Sequence, residues 1–242
     1  MNKNNVSSVS VEESQRPDNY SVSIVLKSCA GLRKVLLGKM IHGFLMKVRI
    51  DGDMFVGSAL IDLYTKCGLM TDAVKVFMEY PKPDVVLWTS IVSGYEQSGS
   101  PELALAFFSR MVVSEKVNPD PVTLVSLVSA CAQLSDFKIH ELAVNYGFEM
   151  ETTVSTTLMD MYMKCFSPEK AVDLFNRMPK KDVIAWAVLF SGYADIGMVH
   201  KSMWVFCNML SSGTRPDAIA LVKILTAVSE LGILQEAIEE ML

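Results

Sequence analysis

Cysteine is sparse and its pattern unpaired: five residues in 242, with no Cys-x-x-Cys pair. The odd number excludes a fully paired disulfide framework, and the missing pair excludes a zinc knuckle. Long hydrophobic runs are lacking as well. Half the residues are hydrophobic and the mean hydropathy is +0.30, yet no run reaches the roughly 18 apolar residues of a membrane helix. No membrane association is expected. Excess positive charge is absent, since the net charge is −5 and the pI about 5.3. A groove for nucleic acid would have to be local, because the overall field repels phosphate.

Catalytic signatures are equally scarce. His140-Glu141 has no second histidine at 144, so the H-E-x-x-H zinc motif fails, as does the zinc-deaminase pattern. Gly38-Lys39 precedes Met40 where a phosphate-binding loop needs Ser or Thr, and neither G-x-G-x-x-G nor G-x-S-x-G occurs. No enzyme, metal or cofactor is expected. His42 and His140 read as packing residues. The opening segment, Met1 to Pro17, is polar, with two acidic residues and one arginine. It shows no readable targeting sequence.

What the chain does have is an internal repeat of 98 residues. Trp88-Thr89-Ser90-Ile91-Val92-Ser93-Gly94-Tyr95 returns as Trp186-Ala187-Val188-Leu189-Phe190-Ser191-Gly192-Tyr193, and Leu60 to Cys67 returns as Leu158 to Cys165. Cys29 and Cys131 also hold equivalent places, as do Cys67 and Cys165, which makes them small apolar fillers suited to a reducing compartment. Repetition at this scale points to a modular stack in place of one active-site cleft.

Each block subdivides at Asp residues that precede apolar-periodic stretches, often as Pro-Asp, a helix stop followed by a helix start. The expected organisation is a polar segment 1–18 with the tail of a preceding repeat, then units 19–53, 54–84, 85–120, 121–151, 152–182 and 183–217, and an incomplete unit 218–242. Within 85–120, Val86, Trp88, Ile91, Val92 and Tyr95 recur at helical spacing. Gly99 and Pro101 then break and restart the helix, and Leu103, Ala104, Phe107, Phe108 and Met111 form a second stripe. The fold expected is all-α: a right-handed superhelix, or solenoid, of helical hairpins like those of tetratricopeptide repeats, with a concave groove.

Two irregularities stand out. Cys29 to Cys131 spans 102 residues but His42 to His140 spans 98, which removes four residues, about one turn, from the second helix of 121–151. Gly68 is matched by Phe166, followed by Ser167-Pro168, so that turn is expected to close differently.

These residues resemble the pentatricopeptide repeat family, in particular its plant subfamily of alternating long, short and standard repeats. Val25 to Leu32 with Gly38 to His42 looks like the long type, Phe55 to Gly68 the short type, and Asp84 to Ile91 the standard type. The order occurs twice before a third long repeat begins. By this resemblance the chain is a truncated or internal segment of such a protein, without the C-terminal extension or deaminase-like domain of many members.

The resemblance implies single-stranded RNA as partner, about one nucleotide per repeat. The fifth and last residues of a repeat would face the base edge: Ser58 with Asp84, Thr89 with Asp120, and Thr156 with Asp182. Weaker pairs are Ser23 with Asp53 and Ala187 with Asp217; Val125 with Glu151 reads no edge. Phe55, Val86, Thr153 and Ile184 would pack on base planes. Ser or Thr with Asp resembles the guanine-preferring pair, giving an expected preference N-G-G-N-G-N. The implied role is an adaptor in organellar RNA editing, processing or stability, in mitochondria or alternatively chloroplasts, with protein partners from an organellar RNA-processing assembly. The alternatives are a protein-interaction scaffold and a truncated product with little RNA binding of its own.

Overall fold

The computed structural model describes residues 18–48, 52–135, 137–226 and 229. The expectations for residues 1–17, and for most of the incomplete repeat beyond residue 226, lie outside the described residues. The described residues contain helices and no strand. None of these helices is long and apolar enough to cross a membrane.

The helices come in pairs: α1 (Asn19–Gly31) and α2 (Val35–Val48), α3 (Met54–Lys66) and α4 (Met70–Met78), α5 (Val85–Gln97) and α6 (Pro101–Ser109). Three further pairs follow: α7 (Pro121–Leu134) and α8 (Lys138–Asn145), α9 (Thr152–Lys164) and α10 (Pro168–Arg177), α11 (Val183–Asp195) and α12 (Val199–Ser211). Residues 218–226 are helical as well. Most first helices start where an aspartate side chain accepts from a backbone N–H two or three residues on, as Asp18 does from Ser21 and Asp182 from Ala185. Such a cap satisfies an orphan donor of the first turn. Asp120 completes a capping box, because the Thr123 side chain accepts from the Asp120 N–H in return.

The described chain forms two compact units, residues up to Gly94 and residues from Tyr95 onward, so the boundary falls inside α5. In the first unit α1 lies against α3, and α2 and α4 each pack on α3. In the second, α7, α9 and α11 lie side by side while α8, α10 and α12 pack on their own partners. Each unit is thus a layer of first helices backed by second helices. The all-α fold class of helical hairpins is the one observed.

The core lies between the layers and repeats its contacts as the sequence does. The Phe77 and Trp88 rings meet edge to face at 4.7 Å, and so do Phe175 and Trp186. Small residues allow close approach: a Cβ on Gly192 would stand 2.4 Å from Met163 Cγ, and one on Gly57 would stand 2.5 Å from Tyr80 Oη.

The irregularities resolve individually. α8 is markedly shorter than α2, and His140 sits near its start whereas His42 sits mid-helix. The missing turn is therefore at the N-terminal end of α8. The turn at Phe166 corrects the sequence-based expectation, because it closes as its glycine counterpart does. Phe166 takes φ 55° against 73° for Gly68. The bonds Phe166 N to Met163 O and Ser167 N to Tyr162 O match Gly68 N to Thr65 O and Leu69 N to Tyr64 O. The two turn hydrogen bonds outweigh the cost of a left-handed phenylalanine, roughly 1–2 kcal/mol. One feature was not foreseen. After α6 the chain widens into a π-turn, Arg110–Ser114, with Glu115 N bonded to Arg110 O. Met111 and Met209 are 98 apart but Pro119 and Pro216 only 97, so the π-turn lies where one extra residue must be accommodated.

Candidate nucleic-acid interface

A first helix buries one side against its neighbours and leaves a stripe exposed. Residues at its second, fifth, ninth and thirteenth positions share that stripe, since spacings of three, seven and eleven return to nearly the same angle. The second position is exposed throughout, from 37% at Val86 to 76% at Tyr20. Phe55, Thr153 and Ile184, read from the sequence as base-packing residues, are exposed with Val86. Tyr20, Val122 and Ile219 hold the same position in the units read as long repeats, and they too are exposed. The sequence reading passed over these three, although the unit boundaries alone locate them. An apolar side chain held in water at the same place in successive hairpins has a flat partner as its natural complement.

The aspartates serve two ends at once. Asp84, Asp120, Asp182 and Asp217 each use Oδ1 to cap the following helix, accepting from the N–H of Leu87, Thr123, Ala185 and Ala220 at 2.7–3.0 Å. Their Oδ2 atoms make no hydrogen bond among the described residues. Each carboxylate is therefore oriented by its own backbone and keeps one acceptor available. Asp53 differs: its Oδ1 caps Phe55 and Val56, and its Oδ2 accepts from Asn19 Nδ2 at 2.8 Å. Both oxygens are engaged, which weakens the Ser23–Asp53 pair further. Glu151 is exposed and makes no cap bond, and beside it Val125 offers no polar group. Ala187 is half-buried and likewise offers none.

The hydroxyls are less open than the sequence reading implies. Ser58 is half-buried, whereas Thr89 and Thr156 are only 9% and 8% exposed. Ser58 Oγ donates to Phe55 O at 2.9 Å, and Thr156 Oγ1 donates to Thr152 O at 2.9 Å. Ser23 Oγ, also buried, donates to Asn19 O at 2.7 Å. Short hydroxyl side chains near a helix start reach back to the preceding turn's carbonyls. Having spent its proton, such a hydroxyl can offer a ligand only lone pairs. Ser58 with Asp84 is the most accessible complete pair.

Two hollows open on this face. In the first unit Asn19, Tyr20, Ser23, Ile24, Lys27 and Phe55 line an apolar hollow of about 570 Å³. In the second, α7 and α9 border a smaller one of about 260 Å³, with Glu96, Gln133, Asp160 and Lys164 on its walls. Burial pushes the Glu96 carboxyl above its ordinary range, opposed by the charge of Lys164.

Comparisons with known proteins bear on the family and the fold. A family profile described as the PPR repeat matches residues 58–82, 86–115, 153–183 and 184–214. The intervening stretches are those read as long repeats. Pentatricopeptide repeat-containing protein At2g33680 of Arabidopsis thaliana is 34% identical over 224 residues, covering 91% of this chain and 31% of that protein. Pentatricopeptide repeat-containing protein At2g03880, mitochondrial, of the same plant is 36% identical over 230 residues, covering 93% and 36%. The chain thus spans about a third of the length of the curated relatives it matches. Among solved structures, the pentatricopeptide repeat protein PPR10 in complex with an 18-nt psaJ RNA element superposes with a TM-score of 0.72 at 20% identity, over 93% of this chain and 34% of that one. PPR10 from maize, solved separately, gives 0.61 at 18% identity.

Proposed function

Because the chain belongs to the pentatricopeptide repeat family, we propose that it binds single-stranded RNA, with each helical hairpin from 19–53 through 183–217 addressing one nucleotide. One observation carries the reading: Asp84, Asp120, Asp182 and Asp217 each cap a helix and keep one carboxylate oxygen available, and two residues on, Val86, Val122, Ile184 and Ile219 stand apolar and exposed. PPR10, whose RNA complex shares the fold, supports the assignment.

The chemistry at each module follows from donors and acceptors. A hydroxyl that has spent its proton and a carboxylate oxygen are two acceptors. Of the four bases, guanine alone places two donors side by side on its Watson–Crick edge, N1–H and N2–H2. Units 54–84, 85–120 and 152–182 therefore select G, and the preferred order is N-G-G-N-G-N. Phe55, Val86, Thr153 and Ile184 hold the base planes, and Tyr20 and Val122 extend the row. The exposure of Ser58 makes the 54–84 module the most discriminating. The alternation of long, short and standard units supports membership of the corresponding plant subfamily. The relative named mitochondrial supports an organellar location, where the chain acts as an adaptor in RNA editing, processing or stability by occupying the strand.

The test is a binding array with single-base variants of the target. Asp84→Asn keeps the helix cap, since Asn caps as well as Asp, but replaces one acceptor with a choice of donor or acceptor. The preference at the first G should move toward A, and Asp120→Asn should do the same at the second G by a smaller margin. Unchanged preferences in both variants would remove the assignment.

A further inference from the structure

The stripe that presents the base-reading residues also carries charge, arranged in an unexpected way. Two turns beyond Ser58 stands Lys66, and two turns beyond Thr156 stands Lys164, the 98-residue equivalent. Each is a cation on the same exposed stripe, about 12 Å along the helix axis from the hydroxyl. Neither is at liberty. Lys66 Nζ lies 2.9 Å from Asp62 Oδ2 and Lys164 Nζ lies 2.6 Å from Asp160 Oδ2, each carboxylate one turn back on the same stripe. In the second unit Glu96 shares the walls of a hollow with Lys164. Lys27, on the equivalent stripe of α1, is exposed and has no ion pair among the described residues.

We propose that Asp62 and Asp160 act as internal competitors of the RNA backbone, each holding a phosphate-contacting lysine so that a strand must displace a carboxylate to engage it. The proposal rests on the RNA-binding reading above. These are exposed pairs between residues four apart, individually weak, so a phosphate can displace the carboxylate. The carboxylate remains nearby and repels the incoming anion. The effect lowers affinity for every sequence alike, so strands held by phosphate contacts alone leave quickly and those also held by their bases remain. This arrangement fits a chain whose net charge is −5.

Anisotropy titrations of the full chain across a salt series test the proposal, using a G-bearing RNA and a uridine homopolymer. The proteins are wild type, Asp62→Asn, Asp160→Asn, the double variant, and each single variant combined with Lys66→Gln or Lys164→Gln on its own helix. Thermal melts confirm folding. Each Asn variant should bind both RNAs about two- to five-fold more tightly at low salt. Each should steepen the logarithmic salt slope by at most about 0.7, the single-strand value for a phosphate neutralised fully only once the carboxylate is gone. The added Lys→Gln change should abolish both gains. If wild type binds while the Asn variants bind equally or less well, the carboxylates are not competitors and the RNA reading stands. If no protein binds either RNA, the RNA reading fails and takes this proposal with it. Binding by the Asn variants alone would support both.

Discussion

His140 Nδ1 lies 2.5 Å from the phenolic oxygen of Tyr162, and 98 residues earlier His42 stands 2.8 Å from Tyr64 in the same relation. The bond ties the second helix of one hairpin to the first helix of the next, with the rings edge to face at 5.6 and 5.8 Å. At His140 it extends: Nε2 meets Glu149 Oε1 at 2.7 Å, and Arg177 reaches the same oxygen at 2.8 Å. Nε2–H donates to the Glu149 carboxylate, and Nδ1 and the Tyr162 hydroxyl share the second hydrogen bond. The histidines are therefore inter-hairpin ties.

Acid should loosen this tie through Glu149. Burial pushes its carboxyl upward, but hydrogen bonds and charge from His140 and Arg177 win and hold it below the usual carboxylate range. A group lowered in the folded state contributes stability in full above its unfolded value, about 4.3, and loses it as pH falls through the folded value. Glu149→Gln should lower the melting temperature at pH 7 and flatten its decline below about pH 5. A parallel decline in wild type and variant would show the carboxylate contributes nothing to acid lability.

Trp88 and Trp186 make the same edge-to-face contact but differ in burial, Trp88 being fully enclosed and Trp186 half-buried. Trp88→Ala should cost about 3–5 kcal/mol, the usual penalty for emptying an aromatic core site. Trp186→Ala should cost distinctly less. Urea unfolding of both variants measures the difference, and equal costs would mean burial does not govern these sites.

Phe166 holds a left-handed turn that its counterpart fills with glycine, and the residue is 78% exposed. Phe166→Gly relieves the backbone strain while losing little packing. The added freedom of glycine in the unfolded chain takes back part of the gain. A net stabilisation of about 0.5–1 kcal/mol is expected, read as a higher urea midpoint. A destabilised variant would show that the ring makes a contact worth more than the strain.

Much of the fold was legible because its signals are local. An aspartate before an apolar-periodic stretch caps a helix wherever it occurs, and the first helices begin at Asn19, Met54, Val85, Pro121, Thr152 and Val183 directly after such acidic residues. The shortening of α8 could be read from two spacings, because a helical turn has a fixed residue count. The Phe166 turn was misjudged, because residue identity reports conformational cost while the hydrogen bonds that repay it come from the assembled hairpin.

The site was legible only in outline. Second-position residues could be located, since a helix start and a spacing settle which side of the helix they occupy. The accessibility of Ser58, Thr89 and Thr156 could not, because neighbouring helices decide how deeply each lies. The division of labour within Asp84, Asp120, Asp182 and Asp217 was hidden too, with Oδ1 on the backbone and Oδ2 available. The amino-acid order by itself determined where helices start, stop and repeat, through caps and periodicity that act within a few residues. Only the tertiary structure decided how deeply each of those polar side chains lies, and that depends on contacts between helices far apart in the chain.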